Sequence, residues 1–197
     1  MTSHPRRAAG PRFPPTGVRI LPLTRGSTRG CGPTVSPYDL LADLAATVDV
    51  APGGGEPAAP VCLTLDVPID LVIAAERGPV RRLFAPLLER ALAAAGRRIG
   101  AGPSPREVLV TAVGFPDRIE IEFADSGPGL THRERNSLPP RGTPATAPHE
   151  PTDALLDDLR HLVVALGGSI SAMDCPEGGS AVTLCLPTRP AALRRAA

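Results

Sequence analysis

The run RIEIEFA at 118–124 alternates without a break: Ile119, Ile121 and Phe123 fall on one side, and Glu120, Glu122 and Ala124 on the other. A period of two over this length is a strand with one buried and one largely wet face. Such a strand needs neighbours in a sheet and an apolar layer over its buried face. Glu107–Val113 supplies a neighbour, joined to it by Gly114-Phe115-Pro116-Asp117, so the two read as a hairpin. The layer must be built from Leu, Val, Ile and Ala, because the chain has four Phe, one Tyr and no Trp.

The helices that could cover this sheet are marked by period and caps. Ser36-Pro37-Tyr38-Asp39 is a helix start, with serine at the cap, proline at the first position and an acid in the first turn. That helix is predicted to reach about Val48, with Leu40, Leu41, Leu44 and Val48 on one face, until APGGGEPAAP at 51–60 ends it. A second helix is predicted from Pro79 to about Ala95, burying Val80, Leu83, Phe84, Leu87, Leu88 and Ala91. A third runs from a Thr152 cap to Leu166, with Leu155, Leu159, Leu162, Val163 and Leu166 as its apolar stripe and Gly167-Gly168 as its stop. Cys62–Val67 reads as a strand and Leu71–Ala74 as a further short one, while Ser169–Met173 and Ala181–Leu186 form a hairpin around Pro176–Gly179. Helices separated by hairpins predict a two-layer α/β sandwich, a mixed sheet covered by helices on one face.

Glycine and proline number 20 and 25 among 197 residues, more than a packed domain uses. Residues 1–35 read as a flexible tail, 36–187 as the domain, 131–151 as a long polar loop within it, and 188–197 as an arginine-bearing C-terminal tail. All 21 basic residues are arginine, which rules out a lysine-dependent phosphate loop or Schiff base. A net charge of +1 without a basic block argues against nucleic acid as the main partner. No run has the apolar length of a membrane span, and no secretory leader is read at the N-terminus, so a cytoplasmic protein is expected. Cys31, Cys62, Cys175 and Cys185 show no metal spacing and read as reduced, mostly buried thiols. His4, His132 and His149 read as solvated, and His161 as a surface residue of the third helix. Asp153, Asp157 and Asp158 suit the first turns of a helix and are not read as a metal site.

The alternating strand ends in DSGPGL at 125–130. A carboxylate at a strand end can accept a hydrogen bond from an exocyclic amine, and glycines beyond it let backbone approach a flat ligand. The same residues also make an ordinary turn.

Residues 36–187, about three quarters of the chain, resemble the ATPase domain of bacterial sensor histidine kinases, within the GHKL or Bergerat-fold superfamily. VRRLFAPLLERALAAA at 80–95, IEIEFADSGPGL at 119–130 and LRHLVVALGGSISAMDCPEGGSAVTLCLP at 159–187 carry the resemblance, in the family's order. It implies that Asp125 reads the adenine amino group, that Gly127 and Gly129 form the adjoining glycine loop, and that Ser180 stands for the family's hydroxyl beside that aspartate. It makes 131–151 a lid-like loop. It also places Arg90 where the family has the asparagine that holds Mg²⁺, and Pro86 where a polar or acidic residue stands near the reacting phosphate. Asp153, Ala154 and Leu155 replace the second glycine motif. Arginine has donors only and a permanent positive charge, so it cannot ligate Mg²⁺; Asp153 would repel phosphate.

The expectation is therefore an adenine end kept and a phosphate end rewritten, with ATP or ADP as the implied ligand, no catalytic residue assigned and Mg²⁺ without its ligand. The implied role is a stand-alone, pseudokinase-like regulator acting through a partner signalling protein, since residues 1–35 do not read as phosphoacceptor and dimerisation helices. The alternative is an active kinase subunit, of histidine-kinase or anti-sigma-factor serine-kinase type, acting on a separate phosphoacceptor protein.

Overall fold

A computed structural model describes residues 19–20, 33–47, 60–97, 106–138, 154–176 and 178–188. The elements in chain order are β1 (Arg19–Ile20), α1 (Pro37–Thr47), β2 (Cys62–Asp66), α2 (Arg77–Gly96), β3 (Glu107–Gly114), β4 (Arg118–Asp125), α3 (His132–Ser137), α4 (Ala154–Ala165), β5 (Ser169–Asp174) and β6 (Ser180–Pro187). They form one mixed sheet in the order β1-β2-β3-β4-β6-β5, parallel across its first three strands and antiparallel from β3 onward. The two-layer α/β sandwich predicted from periodicity is the observed architecture.

The alternation in β4 sets the layers. Ile119, Ile121 and Phe123 are buried with Val108, Val110 and Ala112 of β3 and with Val182, Leu184 and Leu186 of β6, on the same face of the sheet. Leu83, Phe84, Leu87 and Leu88 of α2 close this layer, and Phe84 meets Phe123 edge to face at 5.8 Å between centroids. The opposite sheet face is the more exposed one among the described residues. It carries Glu120 and Glu122 together with the exposed apolar residues Leu109, Val113 and Met173.

Several boundaries differ from the sequence reading. Ser36 does cap α1, its hydroxyl accepting from the Asp39 N–H at 3.2 Å, but order reaches further back. Val35 is already buried and bridges Ile73, which is all that remains of the strand expected at 71–74. In the stretch read as a tail, Arg19–Ile20 pairs parallel with β2; the rest of that stretch before residue 33 lies outside the described residues. α2 starts at Arg77 because proline fits anywhere in a first turn, where the N–H has no intrahelical partner. The stripe of α4 is Leu156, Leu159 and Val163, and Leu155 is exposed: the helix starts at Ala154, and its phase turns Leu156 inward instead. Asp157 and Arg160 are buried in α4. The thiols are less enclosed than expected, with Cys62 exposed and Cys175 and Cys185 half-buried, while Cys31, Val48 and Thr152 lie outside the described residues.

Candidate functional site

Asp125 is the last residue of β4 and shares the parity of Ile119, Ile121 and Phe123, so its carboxylate points to the helix side. Ser180, first residue of β6, is its ladder partner. That register brings the serine hydroxyl to donate to Asp125 Oδ2 at 2.6 Å. Oδ1 accepts the N–H of Gly127 at 2.8 Å, an Asx-type turn that bends the chain off the strand. The predicted pair Asp125 and Ser180 is thus assembled, both residues buried.

Arg90 completes the cluster. Leu83, Leu87, Arg90 and Ala94 follow one another at helical spacing along the face of α2 that meets the sheet. From there Arg90 donates through Nη1 to Asp125 Oδ2 at 3.3 Å, through Nη2 to Ser180 Oγ at 3.1 Å, and through Nε to Glu134 Oε1 at 2.7 Å. Side-chain exposure is 10% for Arg90, 0% for Asp125 and 13% for Glu134, so the guanidinium is held between two carboxylates away from water. Three of its five N–H donors are used, each on a different residue. Pro86, one turn earlier in α2, is half-buried and lacks an N–H to give the helix.

Glu134 was not among the residues singled out in the sequence, where 131–151 reads as a loop. The segment instead opens with a helix, α3, and the signal for it is a capping box. The Thr131 hydroxyl accepts the Glu134 N–H at 3.2 Å, and Glu134 Oε2 accepts the Thr131 N–H at 2.7 Å. Burial pushes the Glu134 carboxyl up, but its hydrogen bonds with Thr131 and the charge of Arg90 outweigh this and hold it below the ordinary range. A second anchor ties α3 to the sheet: Asp174, at the end of β5, accepts the Leu130 N–H at 2.7 Å and Arg135 Nε at 2.9 Å. The Leu130 N–H first, and then Arg135, lower the Asp174 carboxyl.

The glycines of DSGPGL serve packing. A Cβ on Gly127 would lie 2.6 Å from the Ala94 carbonyl oxygen of α2, so its absence lets the loop sit against the helix backbone. Gly129 has φ +89 and takes the left-handed turn toward Asp174. Ala154 and Leu155 form the exposed start of α4, and Asp153 lies outside the described residues.

Mg²⁺ does not fit this arrangement. Arg90, which the resemblance puts where a metal ligand is expected, is a cation already bonded to the nearby carboxylates, and oxygen ligands are what Mg²⁺ requires. Among the described residues no group of three or more His, Cys, Asp or Glu is placed to hold a metal. A cleft of about 180 Å³ lined by Asp117, Arg118, Gly167, Gly168, Ser169, Cys185 and Pro187 lies at the other end of β4, roughly 24 Å of strand from Asp125. Burial, then Glu120, raises the Cys185 thiol there, so it is a poor nucleophile. No described helix is long and apolar enough to cross a membrane.

Comparison with protein families finds no matching family, and comparison with curated proteins finds no match. Solved structures do match. The mycobacterial sensor histidine kinase MprB superposes with a TM-score of 0.57 at 18% identity, over 81% of this chain and 99% of that one. The catalytic domain of histidine kinase ThkA gives 0.57 at 14% identity, over 80% and 95%. Full-length ShkA, solved in complex with AMPPNP, gives 0.54 at 20% identity, over 80% of this chain and 31% of that one. The chain therefore has the fold of histidine kinase catalytic domains. Likeness at these identities extends to the architecture; the chemistry rests on the residues themselves.

Proposed function

We propose that this protein is a degenerate kinase-type nucleotide-binding domain. It takes an adenine compound weakly and without Mg²⁺, and it acts as a regulatory module on a partner signalling protein instead of transferring phosphate. The observation that carries this reading is the position of Arg90. The residue that would hold the metal is a buried guanidinium bonded to Asp125, Ser180 and Glu134. Phosphoryl transfer depends on metal and dipoles that neutralise the phosphates. Here one positive charge is already matched by two carboxylates, which leaves the site formally negative and unfavourable to a polyphosphate. The kept features, Asp125 and Ser180 side by side, support recognition of a base, and a structural neighbour, full-length ShkA, is solved in complex with AMPPNP.

The test is thermal stability with ATP, ADP and AMP, each with and without Mg²⁺. A ligand that binds the native state raises its melting temperature by mass action. Small shifts of equal size for all three, indifferent to metal, are expected. A large Mg²⁺-dependent shift confined to ATP, with phosphate transfer to a separate acceptor, would establish the active-kinase alternative instead.

A further inference from the structure

We infer that Arg90 is an internal latch: its guanidinium occupies the Asp125–Ser180 pair in place of a ligand and at the same time clamps α3 over the site through Glu134. The inference rests on reading that pair as the adenine end. It adds that wild-type pocket occupancy and the docking of α3 exclude one another.

The geometry supports this in three ways. First, the acceptor capacity that would read an exocyclic amine is taken. Asp125 Oδ1 is used by the Gly127 N–H, while Oδ2 accepts both the Ser180 hydroxyl and Arg90. A planar amidine-like group donating into the carboxylate is the same kind of donor that an aminopurine edge would offer. Second, the bridge joins elements far apart in sequence: α2, the end of β4, the start of β6 and α3. Moving the guanidinium aside removes the side chain that holds Glu134. Third, among the described residues Glu134 has no other tertiary ion pair; its second oxygen is spent locally on the Thr131 N–H. Without Arg90, α3 loses a largely enclosed ion pair, and the Arg135–Asp174 pair that also holds it is more exposed. A ligand that displaces Arg90 therefore loosens α3, and a partner that binds undocked α3 opens the pocket, by reciprocal linkage.

The experiment uses the full chain and adenosine, which tests the base site without phosphate or metal. Arg90→Ala is expected to bind adenosine about tenfold or more tightly than wild type, the factor lost when a pocket is open about a tenth of the time. Amides of residues 132–138 in the same variant should lose hydrogen-exchange protection. A folded Arg90→Ala protein with unchanged adenosine affinity overturns the latch, whatever α3 does. Should Arg90→Ala fail to fold, Glu134→Gln decides: glutamine also serves at this capping-box position but cannot pair its charge with Arg90. Faster exchange in α3 supports the latch, and unchanged exchange overturns it. Both outcomes are read without ATP or Mg²⁺, so they stand apart from whether wild-type protein proves to be an active kinase.

Discussion

At the scale of single residues, two adjacent glycines separate packing from backbone preference. Gly178 and Gly179 both have positive φ, but a Cβ on Gly178 meets nothing within 4 Å whereas one on Gly179 would lie 1.8 Å from the Asp125 carbonyl oxygen. Gly178→Ala should cost about 1 kcal/mol, the strain of a side chain in left-handed backbone. Gly179→Ala should cost roughly 3 kcal/mol or more, because two backbones must move apart beneath the Arg90 cluster. Urea denaturation of the two variants checks the ordering, and equal losses would mean that close approach is not what fixes residue 179. Of the site residues, Asp125, Ser180 and Arg90 were each legible in the sequence as positions. Their contact was not. The resemblance puts Arg90 where a metal ligand is expected, but only the rotamer and register show that it crosses to the Asp125 carboxylate. Gly127 and Gly129 illustrate the converse, since the close approach they were read for exists but is made by α2 and Asp174.

At the scale of elements, α2 and the β3–β4 hairpin were readable because burial on one face imposes a period over many residues. α3 was missed because six residues offer no period, and its polar neighbours at 139–151 dominate the composition. The capping box T-x-x-E was the available signal. Its anchor also gives α3 a pH dependence. Glu134 has a folded-state value below the ordinary carboxyl one, so its contribution is fully present above the unfolded value, about 4.3 for glutamate. That contribution is lost as pH falls through the lowered folded value, where protonation removes the partner of Arg90. Exchange of the α3 amides, corrected for intrinsic rates, should accelerate across this acidic window and stay flat between about pH 6 and 8. Glu134→Gln should shrink that acid step to the part supplied by Asp174, whose carboxyl is also lowered and also anchors α3. A step centred near neutrality would implicate a different group.

At the scale of the whole molecule, the sheet order brings β6 between β4 and β5 and so puts Ser180 beside Asp125. Helix phase and strand parity were readable from the chain; which strands become neighbours was supplied by resemblance and then by the structure, because no local pattern encodes a crossover. The order of assembly follows from the same arrangement. Arg90 to Ser180 spans 90 residues, and the bridge cannot close until the final strand has inserted. Contacts of such separation form late, after most of the native surface is buried. Asp125→Ala strands a buried guanidinium and should cost about 3 kcal/mol. In a chevron experiment nearly all of that loss should fall on the unfolding limb, a rate increase of roughly a hundredfold, with refolding changed by less than about twofold. The cluster would then set how long the native state lasts while leaving the speed at which it is reached almost untouched.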